Sequence, residues 1–306
     1  MTPVRLFYCD SYLYDAVEAG PRHAYDVEKP RRIRDALVAD GCARPEDFIA
    51  PRPILDEELA LVHTAPYLAE IRKPERLASL LLLDSEHPWD ERLLQPFLYA
   101  AGGTVAAARR AVAERSIAVN LGGGFHHAQA DKAEGFCAIA DVAIAVRVLQ
   151  RAEAIERALI VDLDCHHGNG NAEIFREDDS VFTFSMHNGN WCWITKQHNR
   201  DIELPSHISD DAYLATLRTH LPAILDEFRP DFAVYLAGSD PYVDDTLGDL
   251  DLSEAGLLER DRLVTREVFG SGVPMAVVTA GGYGAASWRI HFNYFRWLLR
   301  DANHEL

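Results

Sequence analysis

The segment Ala158-Leu-Ile-Val-Asp162-Leu-Asp164-Cys-His166-His167-Gly-Asn169-Gly170 joins an apolar run to a polar loop. Its first half is short and rich in branched side chains, which is typical of a strand covered on both faces of a parallel sheet. Its second half brings acids, histidines and glycines directly after that strand. Because open parallel sheets bind ligands beyond the carboxyl ends of their strands, the segment predicts an α/β fold with a polar site at this edge.

Similar apolar runs recur along the chain and alternate with longer stretches of helical periodicity, as expected for parallel strands joined by crossover helices. Besides Ala158–Leu163, the predicted strands are Val4–Tyr8, Ile117–Leu121, Val181–Ser185, Phe232–Leu236 and Met275–Thr279. The predicted helices are Lys29–Ala39, Arg92–Ala113, Ala140–Ala154, Asp210–Glu227, Ser253–Phe269 and Ala286–Leu299. We therefore expect one domain over residues 1–306, a single-domain, open, mostly parallel β-sheet flanked by helices on both faces.

The composition of the 306 residues, 48% hydrophobic and 25% charged, excludes a disordered or collagen-like chain. A net charge of -18 disfavours direct binding to nucleic acid. Five scattered cysteines without C-x-x-C spacing disfavour a disulfide framework and indicate a reducing compartment. Charges at Arg5 and Asp10 interrupt the N-terminal segment, and no apolar run approaches the ~18 residues of a membrane span. We expect a cytoplasmic protein without a membrane partner.

Three strand-end residues have the side chains of a metal site. Asp164 and His166 are two positions apart, so in an extended segment both point to the same face. Asp240, at the end of another predicted strand, is a natural third ligand, and this set suits Zn²⁺ or Fe²⁺. A second metal would need further carboxylates nearby, but Gly168 and Tyr242 stand two residues after His166 and Asp240. One metal is therefore favoured over two.

Two other strand ends carry residues suited to proton transfer. His126 and His127 follow three glycines, and because imidazole titrates near neutral pH they are candidates for general acid and base. Tyr283 follows a Gly-Gly turn, from which its phenol could donate to a developing oxyanion. Cys165, between the two candidate ligands, is expected to pack in the core.

Together these motifs resemble those of the zinc-dependent histone deacetylase family, within the arginase/deacetylase superfamily. The matching segments are GGGFHHA (122–128), GFCAIADVAIA (135–145), VDLDCHHGNG (161–170), FSMH (184–187), GSDPYVDDTLGDLDLS (238–253) and TAGGYG (279–284). Asn169, the segment HPWDERLL (87–94) and the short AGGY turn resemble class IV and its bacterial relatives. The resemblance implies the arginase/deacetylase fold and Zn²⁺, or Fe²⁺ in the cell, as the catalytic metal.

The resemblance also assigns the residues that bind ions. It implies that Asp164, His166 and Asp240 hold the catalytic metal. It further implies a structural monovalent cation, K⁺ or Na⁺, behind that metal, at Asp162, Asp164, His166, Ser185 and Met186.

The same resemblance gives the catalytic roles. His127 is expected to be the general base and acid, and His126 an electrostatic partner held by Asp162. Tyr283 is expected to donate to the oxyanion. Asn169 stands where class I members usually carry the aspartate that orients the base. These residues would hydrolyse an amide by attack of a water that the metal activates.

Substrate-binding residues follow from the same family. Gly135 and Phe136 resemble the residues that line an acyl-lysine tunnel, with the Gly135 carbonyl accepting from the substrate amide. The opposite wall is expected in the loop after His187, with Trp191 and Trp193 as candidates.

The implied function is hydrolytic removal of acetyl or longer acyl groups from lysine side chains in proteins or peptides. Deacetylation of acetylated polyamines is the nearest alternative, and it would require acidic groups at the rim, for which the sequence offers Asp84, Glu86, Asp244 and Asp245. In the family a rim carboxylate also holds the substrate backbone, and Asp84 and Glu86 are both candidates. A ureohydrolase is disfavoured because carboxylates for a second metal are missing. A catalytically silent acyl-lysine binding module is disfavoured because ligands, histidine pair and tyrosine are all present.

Overall fold

The computed structural model describes residues 4–13, 26–81, 83 and 89–302. Strands in these residues form one sheet, and they are β1 (Val4–Phe7), β2 (Phe48–Ile49), β3 (Ile117–Asn120), β4 (Ala158–Asp162), β5 (Val181–His187), β6 (Asn199–Glu203), β7 (Phe232–Leu236) and β8 (Met275–Val278). Their order is β2-β1-β3-β8-β7-β4-β5-β6, and each of these pairings is parallel. The predicted α/β sheet is confirmed, and across the described strands it is parallel throughout.

All six predicted strands are present, and their observed bounds agree with the predicted ones to within two residues. The two strands that the sequence pattern did not predict lie at the sheet edges. β2 has only two residues, and β6 falls in the stretch His187 to Ser209, which the sequence pattern gave as a loop. Both lack the fully buried apolar run by which the inner strands were predicted.

The helices cover the sheet and lie mostly where periodicity predicts them. They are α1 (Lys29–Ala39), α2 (Asp56–Leu59), α3 (Ala65–Ile71), α4 (Pro74–Leu80), α5 (Gln95–Glu114), α6 (Asp141–Arg151), α7 (Asn169–Ile174), α8 (Asp210–Phe228), α9 (Glu254–Gly270) and α10 (Ser287–Arg300). The predicted start at Arg92 is a short 3₁₀ turn that leads into α5. Across the described ranges, none of the helices has the length and apolarity needed to cross a membrane.

The core has two layers because alternate side chains of each strand face opposite sides of the sheet. Leu159 and Val161 of β4 pack with residues of α1, α8, α9 and α10. Ala158 and Ile160, from the same strand, pack with residues of α5 and α6. Each fully buried leucine, isoleucine or valine contributes about 1.5–3 kcal/mol. This explains why the inner strands consist mostly of apolar residues.

The topology places the polar strand ends side by side. β3, β8, β7 and β4 are neighbours in the middle of the sheet, and because they are parallel their carboxyl ends lie at one edge. The segments that follow them are 121–127, 279–283, 237–240 and 163–170. The four polar clusters of the sequence therefore meet at one place.

Candidate active site and metal centre

Asp164, His166 and Asp240 form the centre of this edge. His166 Nδ1 lies 3.1 Å from Asp164 Oδ1 and 2.9 Å from Asp240 Oδ2. One ligand atom from each residue lies within 4.8 Å of those of the other two. Both carboxylates are fully buried. The structure thus brings together the three residues predicted to hold the metal.

The charges of this cluster fit a divalent cation. Burial and the nearby charge of Asp164 raise the pKa of Asp240 to about 7. Burial opposes the charge on His166, but hydrogen bonds to Asp164 and Asp240 outweigh it and raise its pKa to about 11. A divalent cation would supply the positive charge that these two buried carboxylates otherwise take from the proton on His166. A mixed carboxylate and imidazole set supplies the ligands that Zn²⁺ or Fe²⁺ takes.

Backbone groups hold the outer oxygens of the two carboxylates. Gly281 N–H donates to Asp164 Oδ2 at 2.7 Å, and Cys165 N–H donates to Asp240 Oδ1 at 2.9 Å. A Cβ on Gly281 would lie 2.5 Å from an oxygen of each carboxylate. Only glycine therefore lets the chain after β8 approach the cluster this closely.

The adjacent histidines have opposite electrostatic environments. His126 Nδ1 lies 2.8 Å from Asp162 Oδ2. Burial opposes its charge, but the charges of Asp162 and Asp164 outweigh it and raise the pKa of His126 to about 9. Burial and the charge of His126 hold the pKa of His127 well below its ordinary value. At neutral pH one ring is therefore protonated and the other is available as a base.

Asn169 is the partner of the neutral histidine. Its Oδ1 lies 2.7 Å from His127 Nδ1, and both side chains are buried. The structure brings Asn169 to the position predicted for it, against the ring that the sequence marked as the base.

Aromatic side chains surround the centre. The Trp191 ring stacks on the His127 ring, with centroids 4.1 Å apart and an angle of 4° between the ring planes. The centroid of the Tyr283 ring lies 6.1 Å from that of the His166 ring. Phe136 lies 6.2 Å from Tyr283. Trp193 is 80% exposed, and no ring contact within the described ranges joins it to these residues. The structure thus brings Trp191 to the centre and leaves Trp193 outside.

Gly135 and Phe136 form a strained turn beside the base. Gly135 has φ +52°, and a Cβ there would lie 2.2 Å from His127 Cδ2. Phe136 has φ +63°, an unusual value for a bulky residue. Such strain is commonly found at binding sites. It holds the Phe136 ring near Tyr283.

Of the predicted cation residues, Asp164 and His166 belong to the centre, and Asp162, Ser185 and Met186 lie on β4 and β5. Asp162 of β4 pairs in register with Ser185 of β5, and Met186 follows directly. The hydroxyl of Ser185 contacts His187 Nδ1 at 2.7 Å. The monovalent cation itself stays a prediction.

A second group of metal-type ligands, His167, His187 and Asp201, was not predicted. His167 Nε2 lies 3.2 Å from Asp201 Oδ1. The rings of His167 and His187 stack with their centroids 4.2 Å apart and their planes 20° apart. In-plane lone pairs of stacked rings run parallel and do not converge on one ion. Both nitrogens of His187 also contact side chains, those of Ser185 and Asn190.

This group instead anchors the backbone of Trp191. Trp191 N–H donates to His167 Nδ1 at 3.1 Å. His167 is therefore protonated on Nε2, which faces Asp201. The sequence signal was the second histidine of the HHGNG motif, but its partner lies on the unpredicted strand β6.

Two buried cations were also missed. Lys29 Nζ donates to the carbonyls of Ala280 and Gly281 at 2.9 and 3.0 Å, and burial lowers its pKa to about 8. Arg260 Nη1 donates to the carbonyls of Leu163 and Gly238 at 3.0 and 2.8 Å. Both brace strand ends next to the residues predicted to hold the metal. Nothing in their local sequence distinguishes them from surface lysine and arginine on helices.

The predicted rim acids have different environments. Asp84 and Glu86 lie outside the described residues. Asp245 accepts from the backbone N–H groups of Tyr283 and Gly284 at 2.7 and 2.9 Å, so it supports the tyrosine turn. Asp244 is exposed.

A cavity of about 60 Å³ adjoins the centre. Its walls are largely apolar groups and backbone and include Tyr12, Phe97, Gly124, His126, Phe136 and Tyr283. It provides space next to both His126 and the tyrosine.

Comparison with known proteins places these features in context. The chain is 38% identical over 268 residues to an uncharacterized protein of Picosynechococcus sp., covering 85% of this chain and 87% of that protein. It is 30% identical over 299 residues to histone deacetylase 2 of Arabidopsis thaliana, covering 95% and 77%. It is 25% identical over 292 residues to the acetoin utilization protein AcuC of Staphylococcus aureus, covering 88% and 74%.

A solved structure and a family model also match this chain. The crystal structure of the HDA15 HD domain matches with a TM-score of 0.81 at 24% identity, covering 98% of this chain and 90% of that one. Assignment to class IV stays a prediction. The histone deacetylase domain model matches residues 23–295, so the chain belongs to the histone deacetylase family, whose members are deacetylase hydrolases.

Proposed function

We propose that residues 1–306 form one metal-dependent deacylase domain that removes acetyl or longer acyl groups from lysine side chains in proteins or peptides. One observation carries the proposal. The cluster of buried Asp164, partly buried His166 and buried Asp240 lies next to a neutral, buried His127 and faces the ring of Tyr283. Hydrolysis of an amide needs a Lewis acid, a base and an oxyanion donor at one point.

The metal would be held by Asp164, His166 and Asp240, with Zn²⁺ as the proposed ion and Fe²⁺ as the alternative in the cell. When bound, such an ion polarises the amide carbonyl and lowers the pKa of a water molecule. A structural K⁺ or Na⁺ is proposed behind it, near Asp162, Ser185 and Met186. The backbone donors to the two carboxylates keep the ligands oriented.

His127 performs the proton transfers. Its Nδ1 faces Asn169, so its Nε2 accepts the proton of the attacking water and later gives it to the departing lysine amine. His126, charged beside Asp162, supplies fixed positive charge next to the reaction. Tyr283 donates its hydroxyl to the oxyanion.

The aromatic walls select the substrate. Phe136 and Trp191 would enclose the lysine stem, and the Gly135 carbonyl would accept from the substrate amide. The acyl group would point to the 60 Å³ cavity. Acylation removes the lysine charge, so the side chain enters an apolar passage without the cost of burying an ion.

The proposal is tested by amine release from acetyl-lysine and long-chain acyl-lysine peptides and from acetylated polyamines, using Zn²⁺-loaded protein. Tyr283→Phe removes one oxyanion donor and should lower kcat roughly 10²- to 10³-fold. Turnover of peptides that collapses in this variant supports the proposal and ranks acyl lengths. Turnover of polyamines alone would move the function to small-molecule metabolism. Absence of turnover with metal bound would contradict a deacylase.

A further inference from the structure

Glu134 lies in the loop before the tunnel residues and contacts the partner of the base. Its Oε2 accepts from Asn169 Nδ2 at 2.8 Å, and Asn169 Oδ1 lies 2.7 Å from His127 Nδ1. The Glu134 side chain is 28% exposed, whereas Asn169 and His127 are buried. These three side chains form a hydrogen-bonded chain from the partly exposed loop to the imidazole.

The direction of this chain follows from its donors and acceptors. An ionised carboxylate only accepts, so Asn169 must turn its NH₂ group toward Glu134. Its carbonyl oxygen then faces His127, and His127 Nδ1 must carry a proton in order to donate to it. A neutral imidazole has a single N–H, so Nε2 is left with a free lone pair. That is the form a general base requires.

Other contacts keep Glu134 ionised and in place. Lys132 Nζ donates to Oε1 at 2.5 Å, and Gln129 Nε2 donates to Oε2 at 3.3 Å. Burial opposes the charge, but hydrogen bonds from Lys132 and Asn169 outweigh it and hold the pKa of Glu134 below its ordinary value. The backbone of Glu134 pairs with Cys137 in both directions.

We propose that Glu134 is a positioning residue, which acts through Asn169 to fix the His127 tautomer that leaves Nε2 unprotonated. The inference rests on the proposed function, because it takes His127 as the base. It adds a residue that none of the sequence motifs indicated. It also explains how an amide, which presents a donor as readily as an acceptor, holds a single orientation at this position.

The test begins with Glu134→Gln, which keeps the shape but leaves one acceptor oxygen for Lys132, Gln129 and Asn169. When that oxygen turns to Lys132, the new NH₂ group faces Asn169 and favours the reversed amide. The reversed amide presents its NH₂ to His127 Nδ1 and drives the proton to Nε2. We expect kcat to fall about 10- to 100-fold, with KM changed less than about twofold.

The matched variant is the double substitution E134Q/N169D. It reverses the hydrogen bond between residues 134 and 169, so that residue 134 donates and residue 169 accepts, while both side chains keep nearly the same shape. The introduced glutamine donates to the introduced aspartate, which still accepts from His127 Nδ1. N169D alone would instead place two carboxylates about as close as the 2.8 Å that now separates Glu134 and Asn169. E134Q should therefore lower kcat relative to the wild type when residue 169 is asparagine. When residue 169 is aspartate, E134Q/N169D should have a higher kcat than N169D alone. A residue that only supports the fold would lower kcat in both backgrounds.

A control and a second readout separate this inference from the proposed function. Glu70→Gln disrupts a similar pair, with Lys73, on the surface, and it should leave kcat unchanged. Long-range ¹H–¹⁵N NMR of the Zn²⁺-loaded protein reports the tautomer without turnover, with the His127 signal assigned by its loss in H127Q. We expect protonated Nδ1 in the wild type and protonated Nε2 in E134Q. An active wild type with unchanged kcat and tautomer in E134Q would overturn the role of Glu134, whereas an inactive wild type would contradict the proposed function alone.

Discussion

Replacing Arg260 by methionine should lower the free energy of unfolding by about 3–5 kcal/mol, the usual cost of removing one partner of a buried ion pair. Arg260 is fully buried, and its Nε donates to Asp261 Oδ1 at 2.9 Å. Its Nη1 also bridges the carbonyls of Leu163 and Gly238. Leu163 directly precedes Asp164, and Gly238 stands two residues before Asp240. The substitution therefore loosens both strand ends that carry the carboxylates.

The measurement is urea unfolding followed by circular dichroism at a fixed Zn²⁺ concentration, because a bound metal adds its own stabilisation. The double variant R260M/D261N removes the charge that R260M leaves unpaired. It should regain about 1–3 kcal/mol, the penalty of an uncompensated buried polar group. The hydrogen bonds from Arg260 to the carbonyls of Leu163 and Gly238 stay lost in this double variant.

Arg266→Met is the matched control on the same helix. Arg266 pairs with Glu259 at 2.6 Å, and its side chain is 34% exposed, so its loss should cost about 1 kcal/mol or less. If R260M cost no more than R266M, the idea that Arg260 braces the two strand ends would be wrong.

Two further changes probe the site directly. The double variant E134Q/N169D places a carboxylate against His127 without a second carboxylate at residue 134, stabilises the charged form of His127 and raises its pKa, so the pH of half-maximal kcat on the acidic limb should rise above the wild-type value; an unmoved limb in the pH–rate profile would contradict this. Gly281→Ala places a Cβ 2.5 Å from both ligand carboxylates and should weaken Zn²⁺ binding about 10- to 100-fold in competition with a chromophoric chelator. Gly270→Ala has open space around the added Cβ and should bind Zn²⁺ like the wild type.

The inner strands could be predicted because a strand that is buried on both faces has mostly apolar residues in succession, and such a run is visible in the sequence. β6 shows no such run, since its residues are half-buried or exposed and most of them are polar. β2 is too short for any pattern, and α2, α3, α4 and α7 have four to seven residues, too few to establish a helical period.

The ligands, the histidine pair and Tyr283 could be predicted to lie together because each follows a parallel strand. The residues that support them could not. Glu134 is 35 positions from Asn169, and Lys29 is more than 250 from the carbonyls it holds. Such contacts depend on how helices and loops pack, which no local spacing encodes. Trp193 was predicted together with Trp191 because the resemblance expects a wall from the loop after His187, and the structure leaves Trp193 exposed.

The position of each part within the sheet also sets how firmly it is held. The proposed metal ligands and the tyrosine turn follow central strands, and hydrogen bonds in such core strands generally open at a higher free energy than those at the periphery of a fold. Asp201, which supports the anchor of Trp191, belongs to the edge strand β6. Fraying of β6 would therefore loosen the proposed passage wall at Trp191 while the proposed metal site and His127 keep their geometry. Under the proposed function, substitutions in the edge strand would thus change the substrate range without disturbing the reaction at the centre.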